Sequence, residues 1–185
     1  ALAFKTKLLS GCHWMVSAGT TMTIPTGDDF ALSLGGNGDD LLVQNDAVHL
    51  APFLGFIAQP NPCWFAQGFV QADFDLNGND VFTSFGGFEG TLQDQNLLFI
   101  DASIGRWLHR SCDPCARFSG VAAIAELHST TTLNDTDGVA GISNPFNRMD
   151  ILNATGALNF QFGKTSLRVG GAAPLREDEE HLFDA

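Results

Sequence analysis

The chain's reactive and ligating side chains sit in a few places, and their spacing limits what they could do. Cys112-Asp113-Pro114-Cys115 is a CxxC, the arrangement of a redox pair or of half a zinc site. There is no second CxxC and no thioredoxin-like βαβ context, and the motif falls in an expected turn. A local Cys112–Cys115 disulfide in an oxidising compartment is therefore the preferred reading over an active redox centre. Cys12 and Cys63 fall near strand ends and could pair if those strands are neighbours. Asp28, Asp29, Asp39 and Asp40 surround the Gly-rich "GGNGDD" and have the composition of a calcium site, as "NDTD" at 134–137 does more faintly. Neither has the spacing of a known calcium loop. A solvated acidic loop is preferred, and no metal is assigned. Glu126 and His128 share one face of an expected strand and, with His49, suggest an acid/base or metal set. No third ligand can be named and no GxSxG is present, so no catalytic residue, cofactor or enzymatic activity is expected.

The elements that carry these residues read as strands. In "ILNATGALNFQF" (151–162), Leu152, Ala154, Gly156, Leu158, Phe160 and Phe162 alternate with Asn153, Thr155, Asn159 and Gln161. Strict alternation places one set on each side of a pleated strand. The same two combs recur at 14–24, 47–58, 65–76, 97–108, 121–131 and 165–175. Residues 3–10 would make an eighth strand. The polar combs are not pure: Phe53, Ile57, Phe69, Phe99 and Trp107 fall on them. The segments run about 10–13 residues, long against a usual mode of roughly 5–6. Their polar combs carry Gln, Asn, Thr, Ser and single acids, rather than the Lys and Glu of a solvated sheet face.

Loop length adds a second pattern. The connections at 25–46, 77–96 and 132–146 are long, whereas 59–62 and the Gly163–Lys164 turn are short and 109–116 is moderate. A small hairpin is expected after Asn77–Gly78. Long and short therefore alternate, as they do in outer-membrane barrels with short periplasmic turns and longer outer loops. Charged residues make up 16% of the 185-residue chain, below the roughly 25% of ordinary soluble domains. A net charge of −12 argues against nucleic acid, whose binding depends on Lys and Arg. No apolar run is long enough for a transmembrane helix, but a β-barrel needs only ~9–11 residues per strand. "ALAFKTK" at the N-terminus lacks the apolar core of a signal peptide.

"AGTTMTIPTGDD", "NDAVHLAPFLGF", "WFAQGFVQADFDLNGN", "LLFIDASIGRWL", "AAIAELHSTTTL" and "NRMDILNATGALNFQF…SLRVGGAAPLR…FDA" together resemble the porin-like outer-membrane β-barrel proteins of planctomycete-type bacteria. The resemblance spans nearly the whole chain and keeps the order of segments. That family is defined by predicted topology, so the resemblance implies fold and location more than substrate. It also implies barrel strands before Ala1 and a closing strand after "FDA", making residues 1–185 a single-domain fragment of a larger barrel. One departure is the absence of Tyr, usual in aromatic girdles; Trp14, Trp64, Trp107 and the Phe residues would have to serve.

Together these readings predict an all-β chain: an antiparallel up-and-down transmembrane β-barrel in a bacterial outer membrane, with about eight strands visible. Gln67, Gln71, Asp73, Asp75, Asp101, Ser103, Glu126, His128, Asn153, Thr155, Asn159 and Gln161 would line its polar, acidic lumen. Expected partners are membrane lipid and small solutes or ions, with envelope proteins or further copies of the chain as additional candidates. Two alternatives stay open: a structural barrel or scaffold in an envelope assembly, and a soluble β-sandwich that binds a ligand.

Overall fold

A computed structural model describes residues 1–33, 40–83, 87–111, 113, 116–134 and 149–176. The structure is all-β, with 76% of the described residues in strands, and every pairing among them is antiparallel. Eight long strands form one sheet: β1 (Leu2–Ser10), β2 (Trp14–Thr23), β5 (His49–Asn61), β6 (Trp64–Asp75), β9 (Leu97–Arg110), β10 (Gly120–Thr132), β11 (Asp150–Phe162) and β12 (Thr165–Arg176). Each is paired with its neighbours in that order, so the sheet is an up-and-down meander. The alternating segments read from sequence coincide with these strands to within about three residues at each end.

The sheet is open. β1 and β12 are its two edges, exposed along their whole length, and they do not pair with each other.

Four short strands, β3 (Phe30–Ser33), β4 (Asp40–Val43), β7 (Asn79–Thr83) and β8 (Phe88–Leu92), form a second sheet in the order β3-β4-β7-β8. The β7–β8 hairpin was expected. β3 and β4 were not, because residues 25–46 read as one long loop. Their order follows from continuity: β4 leads into β5 and β6 into β7, so the β4–β7 pair prolongs the β5–β6 ribbon beyond the end of the large sheet. The ladder runs from Val43↔Val81 to His49↔Asp75 across an irregular joint.

Asparagine side chains replace the missing ladder bonds at that joint. Asn79 Oδ1 accepts from the amides of Asp46 and Ala47, both at 3.0 Å. Asn77 Oδ1 accepts from Val48 N at 2.8 Å, and its Nδ2 donates to Asp46 O at 2.8 Å. Asp75 holds the outgoing turn by accepting from the amides of Asn77, Gly78 and Asp94. Buried backbone donors must find acceptors, and short amide side chains supply them where strand geometry breaks.

All long excursions leave from one end of the large sheet, where 24–48, 76–96 and 133–149 connect its strands. Residues 11–13, 62–63, 111–119 and 163–164 make the connections at the other end. Gly163, at φ 58°, supplies the left-handed residue that the tightest of these turns needs. Cys12 and Cys63 lie in two of these turns, flanking the paired strands β2 and β5, yet both are free and exposed; neighbouring strands do not bring them together. The Cys112 and Cys115 disulfide, the "NDTD" loop and Asp39 of the calcium candidate lie largely or wholly outside the described residues. Asp28 and Asp29 are exposed, and Asp29 Oδ1 accepts from Asn45 N at 3.1 Å, an ordinary loop-fastening bond.

Candidate functional site on the concave face

Antiparallel pairing puts cross-strand partners on the same face, so the register sorts the side chains into rows. One face carries Ala18–Leu54–Val70–Ile100, then Val16–Phe56–Gly68–Ala102–Leu127–Ala154–Ala173, then Ala58–Ala66–Ile104–Ala125–Gly156–Gly171. These rows hold no charge until the first, continued through Ser129 and Leu152, reaches Arg176 at the β12 edge. Leu54, Phe56, Val70, Ile100, Ile104, Leu127, Leu158, Leu167 and Val169 on this face are all exposed. Charges reach the face only at its two ends. Arg106 stands over the Trp64 ring at the short-turn end, and Asp150 accepts a hydrogen bond from Arg176 at the other.

The opposite face carries the polar combs. Ser17, Gly55, Phe69, Asp101, His128 and Asn153 form one row, and Gln67, Ser103, Glu126 and Thr155 lie in the next. A pocket of about 430 Å³ opens here, lined by residues from β1 through β10, including Lys5, Ser17, Gln67, Asp101, Ser103, Glu126 and His128. Strands that far apart share one pocket only because the sheet curls, with the polar face concave. Register shifts in β1 and between β9 and β10 assist the curl by increasing local twist.

The pocket's acids are cross-braced. His128 Nδ1 lies 2.7 Å from Asp101 Oδ1, and its Nε2 is 3.9 Å from Glu126 Oε2. Thr155 Oγ1 donates to Glu126 Oε2 at 3.1 Å, and Arg168 Nη1 donates to Oε1 at 3.2 Å. Four strands, β9 to β12, are thereby tied through one charged network. Ser103 Oγ, almost inaccessible to water, has no hydrogen-bond partner among the described residues.

Of the twelve residues expected to line a lumen, Gln67, Asp101, Ser103, Glu126, His128, Asn153 and Thr155 fall in these two adjacent rows. Gln71 stands one row further toward the long loops. Asn159 and Gln161 lie toward the short turns, opposite Ala122 and Gly120. Asp73 sits near the long-loop end with His49, whose Nδ1 is 3.4 Å from Asp73 Oδ1 and whose Nε2 is 3.6 Å from Asp94 Oδ2. Asp75, in the same region, fastens backbone at the joint. His49 is therefore remote from the Glu126–His128 pair, and the three do not form one set. No group of three or more metal-ligating side chains occurs among the described residues.

Sequence reasoning missed Lys5, Ser17 and Arg168, whose importance depends on curl and register. It also left the inward aromatics unexplained, and glycine accounts for them. Phe65 lies on Gly105, where an added Cβ would fall 2.1 Å from the ring, and Phe53 lies on Gly19 at 2.4 Å. Trp107 packs near Gly120 in the same way. The rings lie over bare backbone of the adjacent strand, covering it and leaving room on the concave side. Phe53–Phe69 and Phe65–Trp107 ring contacts link them across strands.

Comparison with known proteins adds no relative. The chain matches no family model, no curated protein and no solved structure. What the site does must therefore be argued from its own geometry.

Proposed function

We propose that this chain forms wall strands of a porin-like outer-membrane β-barrel, its apolar rows toward lipid and its concave polar face toward an aqueous path for small solutes or ions. The supporting observation is the uncovered apolar face. In water, half-exposing the nine large side chains named above would forfeit on the order of 10 kcal/mol of transfer free energy. That rivals the whole stability of an ordinary domain. In hydrocarbon the same face is at home, and the antiparallel ladder satisfies the backbone of the six inner strands, while the edges β1 and β12 would need further strands to pair with.

The dimensions agree. From the row of Arg106, opposite Ala123, to that of Arg176, which pairs with Leu152 level with Ser129, the face is uncharged over six residue steps of β10, and Asp150, the ion-pair partner of Arg176, lies two steps further on. At ~3.4 Å per residue this is about 20 Å along the strand to Arg176 and about 27 Å to Asp150, comparable with the ~25 Å apolar band of outer-membrane barrels before strand tilt is included. On the concave side, Asp101, Glu126 and Asp73 equal in number the fixed cations Lys5, Lys7 and Arg168, three against three. The joint adds Asp75 and Asp94, so the long-loop mouth is the acidic end and favours entry of cations.

Native tryptophans test the orientation. Trp14 and Trp64 belong to the apolar rows, and Trp107 to the concave face. In vesicles containing brominated lipids, the fluorescence of Trp14 and Trp64 should be quenched, and a W14F/W64F variant should lose that quenching while retaining Trp107 emission. Equal quenching of Trp107, or a monomer that needs no lipid or detergent, would overturn the proposal.

A further inference from the structure

The pocket's charges are sorted by side. On β1, Lys5 reaches into it and has no ion-pair partner among the described residues. On β9 and β10, Asp101 and Glu126 occupy the opposite wall, held in place by His128, Thr155 and Arg168. Between the two walls lie Ser17, Gln67 and Ser103, which can donate and accept hydrogen bonds, and the apolar side chains Met15, Ile57 and Phe69.

We infer that this pocket is a binding site for a short linear peptide of about three residues, with its α-carboxylate at Lys5 and its α-ammonium at Asp101 and Glu126. The inference rests on reading the concave face as the solute side. Three observations select this class of ligand. Lys5 on one wall and, on the other, Asp101 and Glu126 offset in part by Arg168 match a zwitterion better than a simple cation, which Lys5 would repel, or a simple anion, which the net negative charge of the acidic wall would repel.

Size narrows the choice. β1 and β9 are four strand spacings apart, about 19 Å along the flat sheet at ~4.8 Å each, and less across the curled face. A single amino acid falls far short of that span, whereas three extended residues cover roughly 10–11 Å and leave the remainder to the curl and to the side chains of Lys5, Asp101 and Glu126. A volume of about 430 Å³ holds such a molecule, at the lower part of the range for small-ligand sites. The lining between the walls completes the match. Gln67 suits peptide N–H and C=O groups, and Met15, Ile57 and Phe69 suit small side chains.

The test uses the full chain folded in detergent micelles and four probes: trialanine, N-acetyl-trialanine, trialanine amide and alanine, titrated by saturation-transfer NMR. Trialanine should bind at least tenfold more tightly than each of the other three. Lys5→Met should abolish the preference for trialanine over its amide and leave the preference over the acetylated form. Asp101→Asn with Glu126→Gln, which keep the hydrogen bonds to His128 and Thr155, should do the reverse. Equal affinities for all four probes, or variants that leave both preferences intact, would overturn the inference. The tryptophan quenching described above separates the two proposals. Normal lipid quenching without peptide discrimination removes only the peptide site, and peptide discrimination without lipid quenching removes only the membrane.

Discussion

At the residue scale, the polar comb works because glycine and aromatic side chains interlock. Gly105 lies directly beneath Phe65, and any Cβ there must displace the ring. Gly105→Ala should destabilise the fold by about 1–3 kcal/mol, as overpacking does. Combining it with Phe65→Ala should return much of that loss, giving a coupling that urea titration of a double-mutant cycle can read. The outer rows make the opposite kind of prediction. Leu127 lies midway between the Arg106 and Asp150 rows. Leu127→Lys should cost about 2–4 kcal/mol for protein folded in vesicles. On a water-exposed face the same change would stay within about 0.5 kcal/mol, so the unfolding midpoint distinguishes the two. The aromatic seats show where sequence reading stops. Phe53 and Trp107 looked like faults in a polar comb because alternation looks along one strand. Their explanation lies on the neighbouring one, where register decides which ring meets which glycine.

At the element scale, the eight long strands were legible because each carries its own two-residue period over enough length to outweigh local exceptions. β3 and β4 were not. Four residues are too few to establish a period, and β4 is ordered by pairing with β7 some forty residues away. The joint between the two sheets depends on asparagine rather than on hydrophobic pattern, which is why it read as a loop. Asn79 Oδ1 satisfies two consecutive amides, one belonging to the buried Ala47. Asn79→Ala should leave them unpaired, at a cost of about 1–3 kcal/mol. Asn79→Asp should keep most of the stability, since it retains the accepting oxygen. Amide hydrogen exchange at Asp46 and Ala47 should accelerate in the alanine variant and change little in the aspartate one. Uniform acceleration throughout β4 to β7 in both would mean that the joint has no local role.

At the scale of the whole molecule, the architecture was legible as an antiparallel up-and-down sheet, while the candidate site was legible only in part. Sequence could place Asp101, Glu126 and His128 on polar combs, but only the curl brings Lys5 of β1 into the same pocket as residues of β10. On the proposed reading, charge in that pocket should govern permeation. Asp101→Asn with Glu126→Gln should lower the cation-to-anion permeability ratio in planar-bilayer recordings, and Leu158→Val on the outer face should not. A well-folded protein that passes no current would leave a structural wall and remove the channel. The unequal ends of the sheet have a further consequence, for how such a wall enters a bilayer. Its excursions of 20 or so residues, one pair of which builds a four-stranded sheet fastened by asparagine, all leave from the same end. Dragging that hydrogen-bonded, polar mass through hydrocarbon would be far costlier than passing turns such as Gly163–Lys164. On the proposed reading, insertion would therefore have one permitted direction, turns leading, and the finished orientation would be decided by kinetics before any lumen exists to be selective.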